Sequence, residues 1–143
     1  MKIIILCISL LILTKYENLL GSEYRVIKLS GEIEIVINEP YCSLCLIQLN
    51  EVFASRKFQD VSINIVLCST GSEPSISNEI QIREYLSSVK IKQFKLEECQ
   101  GDVASPFLRV MNSNEWVVLS HKDLFDSFNC KRLQKRILRL LES

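Results

Sequence analysis

Two cysteines three positions apart, Cys42 and Cys45, are the residues of this sequence best suited to chemistry. A helix would place their side chains one turn apart on one face. At a helix N-terminus, unpaired N–H groups and the positive end of the helix dipole favour a thiolate at the first cysteine. CxxC thiols of this kind have pKa values of about 3.5 to 7.5, against about 8.5 for a free cysteine. The spacing therefore predicts a nucleophilic Cys42 and a resolving Cys45 that exchange a disulfide without a cofactor.

The elements around this pair have a pattern that could position it. Residues 32–37 are rich in β-branched side chains, as in a buried strand, and Asn38, Glu39 and Pro40 end that run. From Cys42 onward, apolar residues recur at spacings of three and four, which predicts an amphipathic helix over residues 42–57. The CxxC is thus expected where a strand gives way to a helix.

The rest of the chain alternates between strand and helix patterns. Residues 61–67 complete a strand-helix-strand unit of the size that builds parallel sheets, with a right-handed crossover. The later elements are a helix, a short strand, a β-hairpin and a long terminal helix with one basic face, predicted over residues 78–89, 92–96, 107–119 and 123–141. The basic face is expected on a helix that covers a sheet. This order predicts an α/β fold with a central mixed β-sheet flanked by helices.

Composition excludes several classes of function. The chain has 143 residues, enough for one domain, and its 17 Lys and Arg balance 17 Asp and Glu. No overall positive charge favours nucleic acid. A single histidine, His121, cannot supply a multi-histidine metal site. Six cysteines in 143 residues are too few for a disulfide scaffold, so some are expected to be chemically active.

The amino-terminal residues are typical of an export segment. Met1 and Lys2 precede an apolar run over residues 3–13, which is the length of a signal-peptide core and too short to span a bilayer. We therefore predict a signal peptide or membrane anchor over residues 1–21 and a folded domain over 22–143. The alternative is that residues 3–13 form a buried first strand of a cytosolic protein. Export would bring the cysteines into an oxidising periplasm or cell envelope.

In this order of elements, the sequence resembles the thioredoxin-like superfamily, and in particular its exported or membrane-tethered thiol-disulfide oxidoreductases. The resemblance covers about residues 25–141 and rests on Pro40-Tyr41-Cys42-Ser43-Leu44-Cys45 after the first strand and on Ser105-Pro106-Phe107 before the hairpin. It implies catalytic Cys42 and Cys45, and a substrate site formed by Tyr41, Ser105 and Pro106. It further implies a cis Pro106 packed against the CxxC, with the Ser105 backbone offered to a bound substrate segment.

Three features depart from the pattern of thioredoxin itself. Val36 replaces an acid that assists proton transfer at the second cysteine, and Glu39 is the nearby carboxylate that could take its place. Ser43-Leu44 replaces Gly-Pro between the cysteines, which leaves the direction of electron transfer open because this pair tunes the potential. Residues 112–115 lack the usual Asp-x-x-Gly turn.

The resemblance implies exchange with protein thiols and disulfides and with an upstream redox partner, by a monomer without metal or nucleic acid. The alternative is a non-catalytic thioredoxin-like binding domain, in which the CxxC forms a structural disulfide or holds a metal. Zinc would need ligands from the scattered Cys68, Cys99, Cys130 and His121. Copper chaperones of this superfamily use CxxxC, one residue longer, and a peroxidase motif is absent.

The remaining candidates have simpler interpretations. Cys68 ends the second predicted strand and could pair with Cys99 or act as a third redox thiol, although a small buried thiol is the simpler expectation. The same expectation applies to Cys130. Trp116 and His121 are expected to be a hairpin packing residue and a solvated turn residue.

Overall fold

Five strands form one mixed sheet in the order β3-β2-β1-β4-β5. The computed structural model describes residues 31–69, 76–99 and 103–142. The strands are β1 (Glu32–Asn38), β2 (Ser62–Ser69), β3 (Ile91–Glu98), β4 (Phe107–Asn112) and β5 (Glu115–Leu119). The helices are α1 (Ser43–Phe53), α2 (Ile76–Tyr85), α3 (His121–Phe125) and α4 (Cys130–Glu142), with a 3-10 turn at Arg56–Phe58.

The strand directions follow the predicted order of elements. β1 is parallel to β2, and β2 is parallel to β3, with α1 and α2 as the crossover helices. β4 is antiparallel to β1 and starts a hairpin with β5. Because β4 runs against β1, the start of β4 and the carboxyl end of β1 lie at the same edge of the sheet, where Val36 pairs with Phe107. The predicted thioredoxin-like α/β fold is confirmed.

One face of the sheet carries the main hydrophobic core. Alternate residues of β1, namely Ile33, Ile35 and Ile37, are at most 2% exposed and pack in one cluster with Leu46 of α1 and Ile137 of α4. α1 contacts both α2 and α4, which places these three helices in one layer. Each fully buried aliphatic side chain contributes about 1.5 to 3 kcal/mol. This burial fixes α1, and with it the CxxC, against β1.

The opposite face of the sheet combines a polar half and an apolar half. Glu34 of β1 is 4% exposed, and its Oε2 lies 2.6 Å from Nη2 of Arg109 on β4. Its Oε1 lies 3.0 Å from Nζ of Lys95 on β3, and this hydrogen bond is the main reason that the pKa of Lys95 is raised. Toward the carboxyl end of β1, the same face is apolar and includes Val36 and Val66.

The terminal element is two helices, so the predicted single helix over residues 123–141 is wrong. α3 ends at Phe125. Ser127 has a φ of 54°, a left-handed backbone conformation that interrupts a right-handed α-helix. Asn129 then caps α4, because its Oδ1 accepts the N–H of Arg132 at 2.9 Å. The side chains of Phe125 and Phe128 stack across the break with centroids 6.3 Å apart. Their continuous apolar spacing is what conceals the break in the sequence.

Smaller differences from the sequence expectations concern boundaries. α2 begins at Ile76, two residues before the predicted start, and β3 extends beyond the predicted 92–96. The hairpin turns through a two-residue loop, Ser113 and Asn114, both with positive φ, as a type I′ turn requires. Asn tolerates that conformation, which explains how the chain turns here without the usual glycine.

The amino end of β1 lies against the end of the last helix. Gly31 precedes β1, and a Cβ at this position would overlap the side chain of Leu141 in α4. Among the described residues, none of the helices combines the length and hydrophobicity needed to cross a membrane. The predicted export segment over residues 1–21 lies outside the described residues.

Candidate active site

Cys42 and Cys45 lie at the start of α1, as predicted, and are joined by a disulfide with Cα atoms 5.2 Å apart. Cys42 is the N-cap, with an extended backbone, and its Sγ accepts the backbone N–H of Cys45 at 3.2 Å. The Cys42 carbonyl accepts the N–H of Leu46, also at 3.2 Å. The sulfur of Cys42 therefore occupies the place of a capping oxygen, where N–H dipoles stabilise negative charge.

The two sulfurs differ in access. Cys42 is half-buried, whereas Cys45, in the first turn of α1, is 6% exposed. The first turn of α1 contains no acidic residue, so no carboxylate within that turn opposes a thiolate. Cys42 is therefore the more accessible of the two to an incoming disulfide. This asymmetry suits a nucleophile followed by a resolving thiol.

Tyr41 connects the CxxC loop to α2. Its hydroxyl donates to Oε1 of Gln81 at 3.3 Å. Burial, followed by the neighbouring Tyr85 and Glu39, raises the pKa of the Tyr41 phenol. The phenol therefore remains a neutral hydrogen-bond donor well above neutral pH, beside the residue that would act as nucleophile.

Ser105 and Pro106 lie at the edge of the sheet where β1 ends, and both are buried. The Ser105–Pro106 peptide bond is cis, and so is Glu39–Pro40. Ser105 Oγ accepts the N–H of Asn38 at 3.0 Å and donates to the Asn38 carbonyl at 2.8 Å. The resemblance implied a role for the Ser105 backbone only, so this anchoring by its hydroxyl is additional. It holds the proline loop to β1 four residues before Cys42.

His121 holds the same loop from the other side, which sequence analysis missed. Its Nδ1 lies 3.0 Å from the Pro106 carbonyl, and because a carbonyl only accepts, Nδ1 carries the proton. The ring packs on Phe125 with centroids 4.7 Å apart. His121 is the first residue of α3, whose N-terminus is fixed by a capping box of Ser120 and Asp123. That Ser-x-x-Asp pattern directly after a strand was the available sequence signal for a helix start here.

Cys68 and Cys99 form a second disulfide with Cα atoms 5.2 Å apart, which corrects the expectation of a buried free thiol at position 68. Cys68 is the last residue but one of β2 and Cys99 directly follows β3, so parallel pairing brings them together. Cys130 is free, and it is half-exposed rather than buried. Burial, with a contribution from Glu51, raises the pKa of the Cys130 thiol.

The carboxylates near the CxxC are already engaged. Val36, at the position of the thioredoxin acid, is 1% exposed and purely apolar in its surroundings. Glu39 is exposed, and its Oε1 accepts from the side-chain amide of Asn78. Glu34 is buried on the face of Val36, but Lys95 and Arg109 hold both of its oxygens. Of these, Glu39 alone is on the surface, where it can exchange protons with water.

Within the described residues, no three His, Cys, Asp or Glu side chains lie close enough together to hold a metal ion. Cys42 and Cys45 are paired with one another, as are Cys68 and Cys99. The structure therefore joins these four cysteines in two disulfides.

Comparison with known proteins gives little beyond this geometry. No family model and no curated protein matches the sequence. Among solved structures, the chain is similar to MTB DsbF in its mixed oxidized and reduced forms, with 12% identity and a TM-score of 0.46. The similarity covers 77% of this chain and 80% of that chain. The description of the fold as thioredoxin-like rests on the strand order, with the CxxC after β1 and the cis Pro106 before β4.

Proposed function

We propose that this chain is a thiol-disulfide oxidoreductase that exchanges the Cys42–Cys45 pair with protein substrates outside the cytoplasm. The observation that carries the proposal is the N-cap position of Cys42, whose Sγ accepts an N–H of α1 while it remains reachable from solvent. A structural disulfide has no need of a sulfur placed at a helix N-terminus, whereas a nucleophile gains thiolate character there.

In the reducing direction, the thiolate of Cys42 attacks one sulfur of a substrate disulfide. A bond forms between Cys42 Sγ and that sulfur, and the other substrate sulfur leaves as a thiolate that takes up a proton. Cys45 then loses its proton and attacks Cys42 Sγ, which forms the Cys42–Cys45 disulfide and releases the second substrate thiol. Two electrons pass to the substrate, and oxidation of a substrate dithiol is the reverse. An upstream redox partner restores the starting state.

The surface around Cys42 supports a protein as the substrate. Leu44, between the two cysteines, is 62% exposed, and Ile47 one turn later is 42% exposed. Such apolar side chains beside a reactive sulfur can pack against a substrate chain. Tyr41 and the Ser105–Pro106 loop would form the other side of this docking region, the former through its neutral hydroxyl.

Location outside the cytoplasm is supported by two independent features. Disulfides persist in oxidising compartments, and the described residues contain two of them. The apolar run over residues 3–13, after Met1 and Lys2, has the length of a signal-peptide core. Whether residues 1–21 are cleaved or remain as an anchor is testable by N-terminal sequencing of the exported protein.

Insulin reduction with dithiothreitol as the electron source tests the activity. The wild-type protein is expected to accelerate the reaction, Cys42→Ser to abolish the acceleration, and Cys45→Ser to accumulate a mixed disulfide. Cys130→Ser is the matched control, because it removes a cysteine far along the chain from the CxxC and should leave the rate unchanged. A redox titration of the Cys42–Cys45 couple then gives the direction of electron transfer.

A wild-type rate equal to that of Cys42→Ser would instead favour the binding-domain alternative, in which the Cys42–Cys45 bond is only structural. One equivalent of zinc in the purified reduced protein would favour a metal-holding CxxC. Either result would refute the proposed function.

A further inference from the structure

We propose that the Cys68–Cys99 disulfide positions the Ser105–Pro106 loop, so that its opening weakens binding of protein substrates at Cys42. This inference rests on the proposed function. It assigns the second disulfide a role in substrate affinity, separate from the exchange chemistry of the CxxC.

The disulfide lies directly beside the residue that anchors the proline loop. Cys68 of β2 is the register partner of Asn38 of β1. Asn38 is the residue whose N–H and carbonyl both bond to Ser105 Oγ. A shift of β2 at Cys68 is therefore transmitted through one ladder step to the anchor of Ser105.

The disulfide also packs beneath the residue that follows Pro106. Cys68, Cys99 and Phe107 belong to one small cluster with Val36 and Val66. Phe107 pairs with Val36 across β1 and β4. The two cysteines thus belong to the same apolar cluster as Phe107, the first residue of β4 after Pro106.

The chain between Cys99 and Ser105 is held at both ends. The Cys68–Cys99 bond holds Cys99, and the Ser105 hydroxyl holds Ser105 to Asn38. Six positions separate Cys99 from Ser105. β3, which leads into Cys99, is an edge strand whose backbone pairs with β2 in the described sheet, and four of its eight residues are exposed. Without the disulfide, the end of β3 can fray and the tethered segment becomes longer, which increases the conformational freedom of the proline loop.

The bond is accessible to a reductant from one side. Cys99 is half-exposed, whereas Cys68 is 9% exposed. A small dithiol attacks Cys99 Sγ, the Cys68–Cys99 bond breaks and Cys68 leaves as a thiolate. The second thiol of the reductant then displaces Cys99. The reductant ends as a disulfide and the protein gains two thiols, so electrons and protons balance.

The first test separates substrate affinity from chemistry at Cys42. In the variant Cys68→Ala/Cys99→Ala, we expect the KM for insulin to rise about threefold to tenfold, because the docking loop is less ordered, while the rate with the small disulfide DTNB stays within about twofold of wild type. Cys130→Ala is the matched control and should change neither quantity. An unchanged KM for insulin would overturn the inference.

The second test does not require that variant to fold. In Cys42→Ser/Cys45→Ser, the bond that dithiothreitol opens within the described residues is Cys68–Cys99. We expect amide exchange at Asn38, which donates to Ser105, to accelerate at least about tenfold on reduction, while Leu49 in α1 stays protected. Equal exchange at Asn38 before and after reduction would contradict the proposal. A wild-type protein inactive on both insulin and DTNB would refute the proposed function, and the Asn38 measurement would still decide this inference.

Discussion

Ser105 and Asn38 are joined by two hydrogen bonds through one hydroxyl, which both accepts the Asn38 N–H and donates to the Asn38 carbonyl. Both residues are at most 8% exposed. The pair links the start of the hairpin to the strand that leads into the CxxC, although 67 positions separate the two residues.

Replacing Ser105 with Ala should destabilise the protein by about 2 to 4 kcal/mol, because two buried backbone groups of Asn38 lose this partner. The free energy of unfolding can be measured in urea with Trp116 as the fluorophore. Ser87→Ala, at an exposed serine, is the control and should change it by less than about 0.5 kcal/mol. A similar loss in both variants would show that the Ser105 hydroxyl has no special role.

In the reduced protein, the thiols of Cys42 and Cys130 should differ strongly in reactivity. Cys42 is expected to be largely ionised at pH 7, whereas burial raises the pKa of Cys130, so that its thiol stays mostly protonated. Iodoacetamide should therefore alkylate Cys42 at least about tenfold faster, after allowance for the lower intrinsic nucleophilicity of a low-pKa thiol. Mass spectrometry of tryptic peptides at pH 6 to 9 measures both rates in one sample. Equal rates with parallel pH profiles would be incompatible with an activated Cys42.

Leu44→Ser should raise the KM for insulin about threefold to tenfold without changing the rate with DTNB, since the exposed leucine is expected to contact only a protein substrate. Val118→Ser is the matched control, because this residue of β5 is similarly exposed, at 55%, but lies on an outer strand. If both variants behave like wild type with insulin, the apolar surface beside Cys42 does not bind substrate.

The capping box of α3 predicts a pH-dependent contribution to stability. Hydrogen bonds from the Ser120 hydroxyl and backbone lower the pKa of Asp123 below its ordinary value. The stabilisation is therefore complete above the unfolded pKa of about 3.9 and is lost as the pH falls through the lower folded value. Asp123→Asn should cost less than about 1 kcal/mol at pH 7, because the carboxylate is exposed, and progressively less as the solution is acidified below pH 4. Urea midpoints at pH 7 and pH 3 measure this, and a difference that grows in acid would be the opposite of the expected sign.

The charged groups opposite the main core differ in how much they should matter. Glu34 is 4% exposed and bonds to both Lys95 and Arg109. Glu34→Gln should cost about 2 kcal/mol, since the two cations keep only their more exposed partners. Glu97→Gln removes the other carboxylate on Arg109, but at 40% exposure the cost should be under about 1 kcal/mol. Urea denaturation of the two variants should therefore give unequal losses, and equal losses would contradict this ranking.

Local spacing was sufficient to predict the CxxC at a strand-helix junction and the proline before the hairpin. It was insufficient where contacts join distant parts of the chain. Cys68 and Cys99 are 31 positions apart, and their pairing depends on the β2–β3 register, which no local pattern reveals. The contact of His121 with Pro106 depends on where α3 begins, and the break at Ser127 is hidden by an unbroken apolar stripe.

Gly31, which lies against Leu141, marks the end of the sheet at which the described chain enters β1. The chain passes into β1 at one edge of the sheet, and seven strand residues, about 20 Å, carry it to the edge where Cys42 lies. A domain fastened through that side would direct its sulfurs away from the point of attachment. Client chains could then approach without first meeting the surface to which the protein is held.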